Sequence, residues 1–560
     1  MRGGSVTSLV KKVLPPRYWS TAVVLRERSR DRGKQLMAQR HSVTSNDAQP
    51  LPALAGNRAL RMYRNTPVVS EPLGSQSVAD LVSRNAARVS RACLAAGLDH
   101  FAVSLDAVQR HVLAMYPLDH FDLLSFADTF DPTEGYYLFF RTGGRWESHL
   151  LGAPLAPDLG ASVVSNRLFF VGQFGHVGEH VIVGPGAATR VELWEFEPVE
   201  GEDESWIGHD QSSAPSVRID KATFEPVSVG GSMISTPTEF GLFNSQRIDT
   251  IGFPIDVVYT WVDDEDPDWR RERAAYLPKA QTAVDASMER YRSFDELRYS
   301  MRSLQMYLPF VNHVFLVTAG HVPSWLDANY SKLTVVTHSE IFLDPSDLPT
   351  FNSHSIESQL HRIPGLSEHY LYVNDDVIFG KPQDPRTYFS GNGQSRFFWS
   401  TAPVPQWAGS QSPLIDEIAL NARDLLIEHF GVRVTNKFRH TAHPQIRSVL
   451  EEMEQRFPEL WAQVAASRFR ARTDVSLAVS LFHHYSFATG RSLPGQLAYD
   501  YFSVDHRLDQ RLQNFRPNEV DSFCMNDVSD DSELWAKAQR TASRFLDSWY
   551  PYASPFERRS

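Results

Sequence analysis

The apolar positions change their spacing twice along this 560-residue chain. From Ser77 to Leu98 they recur at helical intervals (Val78, Leu81, Val82, Ala86, Val89), which predicts a helix. Between residues 136 and 200 they gather into short runs. Tyr136-Tyr137-Leu138-Phe139-Phe140, Leu168-Phe169-Phe170-Val171 and Val191-Glu192-Leu193-Trp194-Glu195-Phe196 are separated by Gly and Pro, which predicts strands. After residue 250 the runs are almost purely apolar: Ile255–Val262, His313–Thr318, Leu333–Thr337 and Tyr370–Val373. Strands without alternation predict a sheet covered on both faces. Leu297, Met301, Leu304 and Leu308 lie between two of them at helical spacing, behind Ser293-Phe294-Asp295-Glu296, which has the form of a capping box. Strands alternating with helices predict an α/β domain with a largely parallel sheet, preceded by a mixed, β-rich region.

The expected organisation is a basic leader and linker (1–75), a mixed α+β accessory region (76–245), a catalytic domain (250–535) and a C-terminal tail (536–560). The leader carries Lys11, Lys12, Arg17, Arg26, Arg28, Arg30, Arg32, Lys34 and Arg40. It reads as a disordered tail, or as a segment touching an anionic membrane surface from the cytoplasmic side. No apolar run is long enough to span a bilayer, and none has the form of a signal peptide. Residues 41–75 read as a loose linker, and the acidic stretch with Glu200, Glu202, Asp203 and Glu204 as a loop. A net charge of −12 argues against a general nucleic-acid binder. Two cysteines, Cys93 and Cys524, make no disulfide framework and fit a reducing, cytoplasmic setting.

Candidate chemistry gathers at strand ends, where open α/β sheets bind ligands. Asp263-Asp264-Glu265-Asp266 follows the first strand, as a cation or nucleotide site or as an exposed acidic turn ended by Pro267. Asn374-Asp375-Asp376 abuts the fourth, where adjacent acids can set a metal beside a diphosphate. His354, Glu357 and His361 share one face of an expected helix, either as metal ligands or as a polar stripe toward solvent or substrate, with Asn352 and Ser353 as its cap. His440 and His443 stand in one short turn. Pro444 then suits the first turn of a helix, and a His there can act as general base or phosphate donor. Arg468, Arg470 and Arg472 offer a phosphate clamp or a basic helix end. Cys524 by itself reads as a small buried hydrophobe.

Taken together, these segments resemble the four conserved blocks of the Stealth family, which includes capsular and exopolysaccharide phosphotransferases. The first is Ile255-Asp256-Val257-Val258-Tyr259-Thr260-Trp261-Val262-Asp263 with Asp266-Pro267. The second runs from Arg292-Ser293-Phe294-Asp295-Glu296-Leu297-Arg298-Tyr299-Ser300 through Leu348-Pro349-Thr350-Phe351-Asn352-Ser353-His354 and Ile356-Glu357 to Asn374-Asp375-Asp376. The third surrounds His440-Thr441-Ala442-His443-Pro444, and the fourth contains Phe523-Cys524-Met525-Asn526-Asp527.

The resemblance implies a nucleotide-sugar transferase-like core. It implies transfer of a hexose- or N-acetylhexosamine-1-phosphate from a UDP-sugar to a glycan hydroxyl, with Mg²⁺ or Mn²⁺ and release of UMP. By the same resemblance Asp376 and Asp527 hold the metal, with Asn374 and Asn526 beside them. His443 is the general base, Asp263 holds the nucleotide end, and Arg298 or Arg468 holds the phosphates. Asn352, His354, Glu357 and His440 line the substrate site. The competing readings are a metal-dependent glycosyltransferase that releases UDP and a non-catalytic carbohydrate-binding protein.

Overall fold

The computed structural model describes residues 57–558 apart from 64–65, 105–111, 117–120, 143–144, 157, 199–204, 210–216, 221–223, 230–231, 238–247, 278–283, 286–290, 410–411 and 528–531. The basic leader and the acids Glu200 to Glu204 lie outside the described residues. So does the side chain of Asp527.

The predicted first helix is α1 (Val78–Ala95). Ser77 and Asp80 close a capping box at its start, and Val78, Leu81, Val82, Ala86 and Val89 form its buried face. The end of the expected linker is instead a ladder of Ala59–Tyr63 on Thr66–Pro72, with Val68, Val69 and Ser70 buried. Proline at both ends of the second strand disguised it as loop. The ladder joins a nine-stranded sheet that also holds Tyr136–Thr142, Leu168–Val177 and Thr189–Leu193, so the aromatic runs are strands as expected.

The two largest sheets of the second half are built from β1 (Ile255–Thr260), β2 (Val311–Thr318), β3 (Leu333–Thr337), β4 (His369–Asn374), β5 (Val377–Phe379), β6 (His443–Ile446), β7 (Tyr499–Val504) and β8 (Ser522–Asp527). The larger sheet runs β3-β2-β1-β4-β6, parallel except for β6. The smaller runs β5-β8-β7. The parallel strands bury both faces. Val257, Tyr259, Leu316, Leu371 and Val373 enter one core, while Val258, Phe315, Val317, Tyr370 and Tyr372 enter the other. That double coverage explains their unbroken apolar runs.

Three local expectations turn out differently. Helix α2 (Glu296–Tyr307) starts after Asp295, at φ 67°, and not at a Ser293 cap. Ser293 and Glu296 do meet, but as a loop tie: Glu296 Oε2 accepts from the Phe294 amide at 2.7 Å and the Ser293 hydroxyl at 3.0 Å. Helix α3 (Ser353–Glu357) is only five residues long and gives way to a tight turn at Leu360–Arg362. Its expected solvated stripe is therefore buried, with His354, Glu357 and His361 each at most 4% exposed. Pro444 lies in β6, opposite Leu371, and the helix that follows, α4 (Arg447–Arg456), begins three residues later. An edge strand tolerates proline because its outer side needs no donor.

The first-half sheet and the second half share a core, in which Leu73, Val78 and Leu81 join Leu297, Met301 and Tyr307. Residues 536–560 comprise most of a helix, α5 (Ser532–Trp549), and a strap beyond it. Ala538, Ala542, Leu546 and Trp549 are buried along α5. In the strap, Glu557 is gripped on α2 by Arg302 at 2.8 Å and by Arg298 at 2.6 Å. Although burial alone would raise it, these guanidinium groups and the Ser554 amide hold the Glu557 carboxyl down at about 2. Arg302→Met strands a buried carboxylate with one half-exposed partner. We expect a loss of about 3–5 kcal/mol, read as a lower urea midpoint with unchanged slope. No described helix is long and apolar enough to cross a membrane.

Candidate functional site

β1 pairs with β2 on one side and β4 on the other, and β3 lies beyond β2. The sheet therefore grows in opposite directions from β1, and the crevice at the carboxyl ends of β1 and β4 is where such sheets bind ligands. Asp375 and Asp376 stand there, at the corner where the chain leaves β4 for β5 and the second sheet.

Asp376 is almost completely buried and fully engaged. Its Oδ1 and Oδ2 lie 3.0 and 3.2 Å from His440 Nε2. Oδ2 also accepts from Asn526 Nδ2 at 2.7 Å and from the Cys524 thiol at 3.1 Å. β8 delivers both of these residues, and the Met525 amide donates to the Asp376 carbonyl at 3.1 Å. Burial pushes the Asp376 carboxyl upward, but His440, Cys524 and Asn526 outweigh it and hold the group below the usual carboxylate range. The reverse holds for His440. Burial would lower it, yet the charge of Asp376, with a smaller push from Glu357, leaves it above the ordinary histidine value. The two form an ion pair, with Asn374 Nδ2 also 3.3 Å from the same His440 nitrogen.

Around this pair negative charge is concentrated. Asp375 is pushed well above its ordinary value by burial, then by Glu296 and Asp376. Glu296 is pushed up to about 7, mainly by burial and further by Asp376. Glu357 is also raised by burial. Its Oε1 accepts from Tyr372 Oη at 3.3 Å, and its Oε2 is buried without a partner. Buried carboxylates pushed upward by one another favour a cation among them. Asn374 Oδ1, buried and unpartnered, is a further oxygen of the kind a hard cation takes. The residues thus fit Mg²⁺ or Mn²⁺.

A test follows from Glu296, which gains protons in the fold. Between about 4.5 and about 7 the folded protein binds more protons than the unfolded chain, so this carboxyl makes metal-free stability fall as pH rises through that window. Glu296→Gln should flatten the fall in Tm, and a divalent cation at pH 7.5 should restore more Tm to the parent than to the variant.

The remaining expected residues divide by place. Asn352 caps α3, its Oδ1 accepting from the His354 amide at 3.1 Å, and donates to Asp474 at 2.8 Å. His354 lies 3.8 Å from the same Asp474 carboxylate. Arg470 reaches Ser353 Oγ at 2.5 Å, on the helix that carries Glu357. Arg468 instead donates to the Ser346 carbonyl at 2.7 Å, and Arg298 is held by Glu557. Asp263 ends β1's extension, its amide donating to His321 Nε2 at 3.1 Å. His443 is 4% exposed, with Nδ1 3.1 Å from His483 Nε2. Burial, and then the His440 charge, pushes it down to about 3. The backbone of Asp527 pairs with Val504 at the end of β8. The structure adds Cys524 and Glu296 to the centre. Both lie in the family's blocks, but a lone Cys and a capping-type Glu gave no sign of this role.

All four Stealth conserved regions match: region 1 over residues 253–281, region 2 over 290–397, region 3 over 439–487 and region 4 over 513–560. An exopolysaccharide phosphotransferase of Streptomyces coelicolor is 45% identical over 315 residues, 55% of this chain and 53% of that protein. A second from the same organism is 41% identical over 401 residues, 69% of this chain and 66% of that protein. The exopolysaccharide phosphotransferase CpsY of Mycobacterium tuberculosis is 39% identical over 332 residues, 58% of this chain and 61% of that one. The chain thus spans between about half and two thirds of the length of these curated relatives.

Among solved structures, the galactosyltransferase LgtC aligns with a TM-score of 0.28 and 12% identity, over 53% of this chain and 96% of that one. Mouse xyloside xylosyltransferase 1 aligns with a TM-score of 0.25 and 9% identity, over 48% of this chain and 97% of that one. At those scores the structural likenesses carry no argument. With its four conserved regions in order and its relatives at 39–45% identity, the chain belongs to the Stealth family.

Proposed function

We propose that the chain transfers a hexose- or N-acetylhexosamine-1-phosphate from a UDP-sugar to a hydroxyl of a growing exopolysaccharide or capsular glycan. The observation that carries the reading is the ion pair of buried Asp376 with partly exposed His440, set among further carboxylates at the switch point of the sheet. The relatives' names as exopolysaccharide phosphotransferases support it.

In this reading the donor lies across the carboxyl ends of β1 and β4. Asp263 and its neighbours face the nucleotide end, and Arg470 on the α3 side faces the phosphates. The acceptor hydroxyl attacks the phosphorus nearer the sugar, a sugar–phosphate–sugar diester forms, and UMP leaves. Such a transfer needs positioning and charge neutralisation above all. Asp376, with Asn374, Asn526 and Asp527, would hold Mg²⁺ or Mn²⁺, which would supply that neutralisation on the diphosphate.

We assign the acceptor's proton to the His440 ring, at the nitrogen turned away from Asp376, and not to His443. The His440 side chain is 34% exposed and Asp376 raises its basicity, whereas His443 is sealed against His483. Glu357 adds a smaller push to the basicity of that ring.

The deciding experiment is a product assay with purified protein, Mg²⁺ or Mn²⁺, a panel of UDP-sugars and a short glycan acceptor. UMP release with a new phosphodiester signal in phosphorus NMR is the expected result. UDP release with a glycosidic product would make the enzyme a glycosyltransferase and move the reacting centre to the anomeric carbon.

A further inference from the structure

Cys524 makes an unusual third member of the central pair. Its thiol is fully buried, on the strand facing the Asp375–Asp376 corner, and points at Asp376 Oδ2 from 3.1 Å. One ligand atom each from Asp376, His440 and Cys524 lies within 4.8 Å of the others. Among the described residues these are a carboxylate oxygen, an imidazole nitrogen and a sulfur converging on one point, with the Asn526 amide 2.7 Å from the same carboxylate. Three chain elements supply them: the corner after β4, the turn before β6, and β8.

A hard cation such as Mg²⁺ takes oxygen and leaves a thiol unused. A borderline cation such as Zn²⁺ takes this mixture, with three protein ligands and one position left open. We infer that Asp376, His440 and Cys524 form a site for a thiophilic divalent cation of the zinc class, distinct in its chemistry from the oxygen-liganded Mg²⁺ or Mn²⁺ that transfer requires. On binding, the Cys524 S–H bond is replaced by a metal–sulfur bond and the proton leaves to solvent. The cation also takes His440 Nε2 and the Asp376 carboxylate, and so removes the counter-charge that makes this ring a base. It therefore inhibits transfer even when Mg²⁺ is plentiful. The cation site stands on the geometry alone. Only its inhibitory effect rests on the transferase reading.

Co²⁺ is the probe, because its thiolate complexes absorb in the near ultraviolet and its oxygen-only complexes do not. Titrating Co²⁺ into the full chain should give one equivalent of a thiolate charge-transfer band, displaced by Zn²⁺. Cys93→Ser should keep the band, since Cys93 is buried in the core of the first half. Cys524→Ser should lose it and bind Zn²⁺ at least tenfold more weakly in competition with a chromogenic chelator. Circular dichroism verifies that this variant is folded, and His440→Gln supplies a second variant that should also weaken Zn²⁺. A wild-type protein without the band, or a band that survives in Cys524→Ser, overturns the site. In the activity arm, UMP release in excess Mg²⁺ should fall as Zn²⁺ is added, and undiminished release with the site filled overturns the inhibitory role. A chain that shows the band but releases neither UMP nor UDP overturns the transferase reading and leaves the cation site standing.

Discussion

Asp376→Asn should abolish transfer while leaving the protein folded. The substitution keeps size and shape, so circular dichroism and the urea midpoint should change little beyond the lost ion pair. Three consequences act together at the centre. In the proposed mechanism, the carboxylate that would hold the charge-neutralising cation becomes a neutral amide. The counter-charge that holds His440 above its ordinary value disappears, so the imidazole becomes a weaker base. The Asn526 amide and the Cys524 thiol, both donors to Asp376, then face a side chain that itself carries a donor. Loss of a positioned acid–base partner alone costs a factor of about 10²–10⁴. With charge neutralisation lost as well, kcat should fall by at least the upper end of that range, on the order of 10⁴. A variant within tenfold of the parent, with normal dependence on Mg²⁺, would remove Asp376 from the centre of the mechanism.

The parts of this site that were legible in sequence are those where a buried strand runs straight into polar residues. Tyr370–Val373 ends at Asn374-Asp375-Asp376, and Ile255–Val262 ends at Asp263-Asp264, because a sheet covered on both faces has continuous apolar strands and its ligands sit at their ends. Contacts between distant segments were not legible. Cys524 lies 148 positions from Asp376, and nothing around a single Cys marks its partner. His440 and His443 looked equivalent in one turn, and the antiparallel pairing of β6 separates them. Pairing Tyr372 with His443 draws the latter into the sheet, while His440, just before the strand, stays free to turn toward Asp376. Pro444 favoured the helical reading because proline suits both a first helical turn and an edge strand, and local sequence does not choose between these. The same limit applies to Arg468 and Arg470, since nothing local in the sequence tells which of them reaches Ser353 and which the Ser346 carbonyl.

His440 and His443 should separate cleanly by mutation. His440→Gln should lower kcat by a factor of about 10²–10⁴, the usual worth of a positioned acid–base group, with little change in KM for the UDP-sugar. His443→Gln should act through packing instead, because its partner is His483 and its ring is buried against Tyr372. It should cost stability and less than tenfold in kcat.

The pH profile tells the two apart even if both variants lose activity. As a base His440 must be neutral, so kcat in the parent should rise with pH through a value above the ordinary histidine pKa of about 6.5. In Asp376→Asn the residual activity should rise at lower pH, because the anion that favoured the protonated ring is gone. Stability moves the opposite way. The pair's contribution from His440 is full below the unfolded histidine value and is lost as pH rises through the higher folded value. From the Asp376 side it is present above the unfolded carboxylate value and is lost as pH falls through the lowered folded one. The ion pair should therefore stabilise the protein most in mildly acidic solution, on the limb where transfer is slow. A kcat profile that does not move in Asp376→Asn, or a His443→Gln variant that loses more activity than His440→Gln at equal stability, would transfer the acid–base role away from His440.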